Sequence, residues 1–238
     1  MKKLSDSGVN RRYSSQDVHT KLIEDFLVPC LEHSTTYWRA AGYFRSSIFE
    51  LIAPALSDFC LRGGKIRMLC SPALTQADTD EILAIEKTKR YLVQEAVDRD
   101  LETLLEQERW QSGVNFLATL MQHELLEIRV AYKDGPGIFH PKCAVFADGT
   151  NALSFTGSAN ETVQAWCYNE ETILVSRDWI DDKEREDVNW ERDYFDMNWN
   201  GLQDGFKTTA LSDVSVEKIA EHALPSVEEA KERLCEDL

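Results

Sequence analysis

Apolar residues recur along the chain with two periods, near 3.6 and 2, and their alternation predicts the order of elements. Val18, Leu22, Ile23, Phe26 and Leu27 keep helical spacing behind the capping run Ser14-Ser15-Gln16-Asp17, which predicts a helix from Ser15. Residues 37–44 (YWRAAGYF) are strand-like, rich in aromatics and with a glycine near the end. Ile48, Leu51, Ile52, Ala55, Leu56 and Phe59 then lie on one side of an amphipathic helix over 46–61, which Gly63-Gly64 stops. Residues 65–71 (KIRMLCS) read as a buried strand ended by Pro72. Strand, helix and strand joined by a short glycine turn make a βαβ unit, and so a parallel pair with helices packed on it.

Residues 75–107 are charged, with apolar stripes at helical spacing, and 110–123 form a second amphipathic helix. Leu126 to Tyr132 alternate as a strand, and residues 133–137 are a loop. Three apolar runs follow between Gly137 and Ser176. Phe139 with residues 143–147 is the first, Asp148-Gly149 a hairpin-type turn, and residues 152–155 the second. Gly157-Ser158-Ala159-Asn160 closes that strand, and residues 172–176 begin another. Side chains alternate faces along a strand, so His140 and Lys142 project from the same one.

After Asp178 the composition shifts. The DDKERED run is a solvated helix face, and Trp190, Tyr194, Phe195 and Trp199 belong to a helix packed on the core. Residues 200–215 are turn-rich, and 215–234 are helical, acidic and split by Pro225.

Charge narrows the function classes. The chain carries a formal net charge of −16, of which −10 falls in residues 181–238. A broad basic surface for nucleic acid is excluded, so contact with a polyanion must come from a local patch, a dimer cleft or a partner. No apolar run is long enough to span a membrane, and the basic start lacks a signal-peptide core, which predicts a cytoplasmic protein. The six cysteines (30, 60, 70, 143, 167, 235) form no CxxC pair and read as buried thiols of a reducing compartment. His and Cys never cluster at ligand spacings, so neither metal nor cofactor is expected.

His140-x-Lys142, then Gly157-Ser158-x-Asn160, then Glu171 opening a strand, resembles the phospholipase D (HKD) superfamily, with one motif per chain. The likeness is strongest over residues 137–176, and the element order extends it over about 15–200. It implies an α/β fold, an α/β/α sandwich with a mixed central sheet. The expected division is a flexible lead-in (1–14), a catalytic domain (15–200) and an acidic helical appendage (201–238). The Asp usual in the family lies five residues after the lysine, where this chain has Ala147. Asp148, one further on, reads as a turn residue without a catalytic role.

The resemblance implies His140 as nucleophile and Lys142, Ser158 and Asn160 as holders of the phosphate, with Glu171 orienting a histidine. Those residue types suit phosphodiester chemistry: a neutral imidazole attacks phosphorus, and ammonium and amide donors stabilise charge on the oxygens. Of the five histidines (19, 33, 123, 140, 222), only His140 is followed two positions later by a lysine with a Gly-Ser-x-Asn downstream. Single-motif members pair two chains so that their motifs meet, which implies a homodimer with a composite site. The element order also looks like phospholipase D-type domains that accompany helicases in bacterial restriction and phage defence. A DNA endonuclease working with a helicase or ATPase partner is therefore expected. A phospholipid-hydrolysing or phosphatidyl-transferring enzyme is the alternative, and an inactive DNA-binding or assembly module a third.

Overall fold

The computed structural model describes residues 2–15, 21–42, 44–45, 47–71, 94–96, 98–99, 111–133 and 138–236. Eight strands form one sheet: β1 (Arg12–Ser14), β2 (Thr36–Ala41), β3 (Lys65–Cys70), β4 (Leu126–Lys133), β5 (Lys142–Ala147), β6 (Ala152–Gly157), β7 (Thr172–Arg177) and β8 (Phe206–Ala210). Their spatial order is β1-β7-β6-β5-β2-β3-β4-β8. The pairs β2–β3 and β3–β4 are parallel, and every other pair is antiparallel. The mixed sheet is thus as expected.

Helices cover both faces. On one lie α1 (Val28–Glu32), α2 (Ser47–Leu51), α3 (Ala53–Leu61), α4 (Gln111–Gln122), α6 (Asp213–Ala220) and α7 (Val227–Glu236). Their Phe49, Phe59, Phe116, Ile219 and Leu234 share a core with Tyr37, Met68 and Phe146 of the sheet. On the other lies α5 (Asp182–Trp199), whose Phe195 and Trp199 cover Ala40, Leu69, Ala131 and Cys143. Two inward faces on one sheet make the three-layer α/β/α arrangement.

The expected βαβ crossover is present, but its helix is two. The chain breaks at Ile52 (φ −106°, ψ 10°), and Pro54 sits in the first turn of α3. Proline has no N–H to continue the preceding helix and its ring crowds the carbonyl four residues back, so it starts a new one. The helix expected from Ser15 also differs. Residues 16–20 lie outside the described residues, Ile23–Leu27 form a π-turn, and α1 follows. Ser15 itself follows β1, and its N–H donates to the Glu171 carbonyl at 3.0 Å. Of the stretch 75–107 only 94–96 and 98–99 are described, and these are helical.

Both ends of the chain join the same core. Leu4 is fully buried and β1 pairs with β7, so residues 2–14 are packed structure where a flexible lead-in was expected. Residues 201–236 contribute β8 to the sheet, and Ile219, Val227, Ala230 and Leu234 to the main core, instead of a separate appendage. The turn-rich reading of 200–215 missed β8 because FKTTA is a half-exposed edge strand with no apolar alternation.

Candidate active site

Five of the sheet's strand ends converge on the site. β2 ends at Ala41, opposite Lys142, where antiparallel β5 begins. β6 ends at Gly157 opposite Ile173, near the start of β7. Parallel β3 ends on the same side, so the site lies beyond the carboxyl ends of the parallel strands, the usual place for a ligand in an open α/β sheet.

His140 stands exposed just ahead of β5. Lys142 Nζ lies 2.8 Å from its Nδ1 and 3.0 Å from its Nε2, and donates to its carbonyl at 3.3 Å. An ammonium only donates, so the ring nitrogen it meets must carry a lone pair. Burial and then the Lys142 charge hold the His140 imidazolium below its ordinary range. Lys142 is itself lowered, by burial and then by Arg39, while Glu171 works the other way. Both effects on His140 favour the neutral imidazole, which is the state that attacks.

The second segment is pinned by backbone. Ser158 N–H donates to the Thr172 carbonyl at 3.1 Å, and Ser158 Oγ accepts from the Thr172 N–H at 3.1 Å. A Cβ on Gly157 would lie 2.2 Å from the Thr172 carbonyl oxygen, so only glycine allows this approach. Asn160 is half-buried in the loop between buried Ala159 and Glu161. Glu171 is buried, and Asn169 Nδ2 donates to its Oε1 at 3.2 Å. Ser15 Oγ accepts from the Glu171 N–H at 2.7 Å. The structure therefore brings His140, Lys142 and Glu171 into one electrostatic group, with Ser158 on the neighbouring strand end.

Asp148 sits at the other end of the hairpin. Burial alone would raise its carboxyl, but the N–H groups of Asn151, Leu4 and Thr150 outweigh this and hold it below the ordinary range. Each of the three donates at 2.7 Å. It ties the β5–β6 turn to the N-terminal segment.

Three residues escaped the sequence reading. Gly42, after β2, lies against the His140 ring: an added Cβ would be 2.2 Å from Cδ2 and 2.8 Å from Nε2. The glycine near the end of the aromatic strand was the visible signal. Arg39 and Glu161 form a fully buried ion pair, Nε to Oε2 at 2.7 Å. A charged residue inside an apolar strand and a glutamate directly after the Gly-Ser-Ala-Asn motif were its only trace. The chain after β2 runs beside that motif, through the Phe44–Glu161 bridge and the Arg45 N–H to Glu161 carbonyl bond of 3.0 Å.

An imidazole beside an ammonium, with a serine and an asparagine on the adjacent strand end of a mixed α/β/α sheet, is the arrangement expected of the phospholipase D class of phosphodiesterases. The chain belongs to that superfamily: the family model described as "Cardiolipin synthase, PLD-like domain" matches residues 27–199. No curated protein sequence matches the chain. Among solved structures it is similar to NucT from Helicobacter pylori, at 16% identity and a TM-score of 0.46 over 79% of this chain and 94% of that one. It is also similar to Nuc, a phospholipase D family member from Salmonella typhimurium, at 14% identity and a TM-score of 0.46 over 84% and 96%. A third is phosphatidylserine synthase from Haemophilus influenzae Rd KW20, at 11% identity and a TM-score of 0.44 over 90% and 43%.

Proposed function

We propose that the protein is a metal-independent DNA endonuclease that works as a homodimer through a covalent phosphohistidine. The observation that carries this reading is the His140–Lys142 pair, which supplies one half of a two-histidine mechanism. The imidazoles of His33 and His123 are engaged elsewhere: His33 Nδ1 meets the Pro29 carbonyl at 2.8 Å, and His123 Nε2 meets the Pro225 carbonyl at 3.2 Å. A second copy of the chain is the natural source of the second imidazole.

In the first step the neutral His140 attacks phosphorus. A P–N bond forms, the P–O bond to the leaving oxygen breaks, and that oxygen takes a proton from the imidazolium of the second copy. Water then attacks phosphorus, gives its proton to the same second imidazole, and the P–N bond breaks. Lys142, Ser158 and Asn160 hold the non-bridging oxygens and take up the charge that a metal would otherwise neutralise. Glu171 orients His140 and fixes its tautomer.

A cleft lined by two copies of Lys142 also answers the acidic exterior, because it confines attraction to the reacting phosphate. The likeness of element order to helicase-associated domains supports a restriction or phage-defence role beside a helicase or ATPase, in the cytoplasm. Among the described residues no helix is long and apolar enough to cross a membrane. The test is nicking of supercoiled plasmid in EDTA, with sedimentation to measure the oligomer. Wild type is expected to be dimeric and active, and His140→Ala to lose at least about 1,000-fold in turnover. A magnesium requirement, or hydrolysis of cardiolipin or phosphatidylglycerol with DNA left intact, would overturn the nuclease reading.

A further inference from the structure

The sheet splits at the site. The β5–β6 ladder ends at Cys143 opposite Thr156. One residue further, Lys142 still pairs outward with Ala41 of β2, and Gly157 outward with Ile173 of β7. The two strands therefore part between Lys142 on one side and the Ser158–Asn160 loop on the other, the two sides of the phosphate site. Arg39 of β2 reaches into this split. Its Nη1 donates to the Cys143 carbonyl at 3.1 Å and to the Ala40 carbonyl at 3.2 Å, and its Nη2 donates to the Ala159 carbonyl at 2.6 Å. One planar group thus holds a carbonyl on each side.

Glu161 fixes that group from behind. Its Oε2 accepts from Arg39 Nε at 2.7 Å and from Trp166 Nε1 at 3.4 Å, and its Oε1 accepts from the Tyr37 hydroxyl at 3.0 Å. The Phe155 ring lies 5.0 Å from the guanidinium carbon. Arg39 and Glu161 both have no solvent exposure, so neither touches substrate. A buried ion pair is an inefficient source of stability, since apolar residues of similar volume often serve as well. A rigid fork with several donors is, by contrast, the one side-chain shape that keeps two carbonyls at a set spacing.

We propose that Arg39, held by Glu161, is a positioning residue: a crossbar that sets the distance between the Lys142 side and the Ser158–Asn160 side of the phosphate site. The inference rests on the phosphodiesterase reading above and adds a requirement to it. Lysine at position 39 keeps the charge but cannot span two carbonyls. Methionine at 39 and 161 together with phenylalanine at 37 removes the pair without leaving a lone buried charge.

The test compares Arg39→Lys and the triple variant Tyr37→Phe/Arg39→Met/Glu161→Met with wild type, each well below its own melting temperature. Turnover of bis(4-nitrophenyl) phosphate and backbone amide exchange are both read. The crossbar predicts a kcat lower by about 10- to 100-fold with KM little changed. It also predicts at least about tenfold faster exchange confined to residues 157–161, with β2 and β3 protected as before. Should Arg39→Lys fail to fold, the triple variant is the deciding protein. Wild-type kcat and exchange in the folded triple variant would overturn the proposal, and so would a uniform rise in exchange across the sheet, which marks a merely structural role. If wild type turns over no phosphodiester, the proposed function fails, and the exchange pattern alone still decides whether the crossbar exists.

Discussion

Gly42→Ala separates the position of the nucleophile from the stability of the fold. The new methyl would lie 2.2 Å from His140 Cδ2, so the ring must retreat by about 1.2 Å to reach the ordinary 3.4 Å contact. Nothing in the backbone opposes the substitution, because Gly42 does not have the left-handed φ at which a side chain is strained. His140 is exposed, so the ring can swing away cheaply. Stability should therefore hold or rise by about 0.4–1 kcal/mol through the stiffer unfolded chain. Activity should not hold. A displacement of about 1 Å of a reacting group costs on the order of 100-fold, about 2.7 kcal/mol of barrier. Plasmid nicking in EDTA and a thermal melt on the same preparation check both halves. Unchanged turnover would refute the placement of His140 as nucleophile, and a large fall in melting temperature would refute the claim that the ring alone moves.

Two further outcomes follow from the charges. Lys142→Met removes the ammonium that, after burial, depresses His140, so the His140 imidazole followed by NMR should titrate closer to its ordinary 6.5 than in wild type. A shift downward would show that the lysine does not act on the ring. Asp148→Asn leaves one oxygen where a carboxylate accepts three N–H groups, and should cost about 2 kcal/mol in urea unfolding at neutral pH. Because the folded carboxyl is depressed below 3.8, this contribution is present above 3.8 and fades as pH falls through the folded value, so the gap between variant and wild type should narrow as pH is taken progressively below 3.8.

The parts of this molecule legible in its sequence are those with local rules. The β5–β6 hairpin shows in its turn residues, the βαβ unit in its periodicity, and the reactive group in His140-x-Lys142 followed by Gly157-Ser158-x-Asn160. The rest depends on partners far away in the chain. β1 and β8 are edge strands, and neither run alternates strongly enough to stand out from a loop. Pro54 breaks a helix whose apolar stripe continues across the break, so periodicity alone reads one helix. Arg39 looks like a stray charge in a strand until Glu161, 122 positions later, is folded against it. Gly42 looks like a strand terminator until the His140 ring is laid on it.

The open hairpin also says something about when the molecule becomes chemically competent. Four of the five site residues fall between His140 and Asn160, within reach of one tight turn, so their approach closes a short loop at low entropic cost. The Arg39 to Ala159 contact spans 120 positions and waits for a long loop to close. A chain that has made only the turn holds the motif side by side but not at its working spacing. Full turnover then needs that long-range contact as well as the turn, so a chain that has closed only the hairpin carries four of the five site residues without their working spacing.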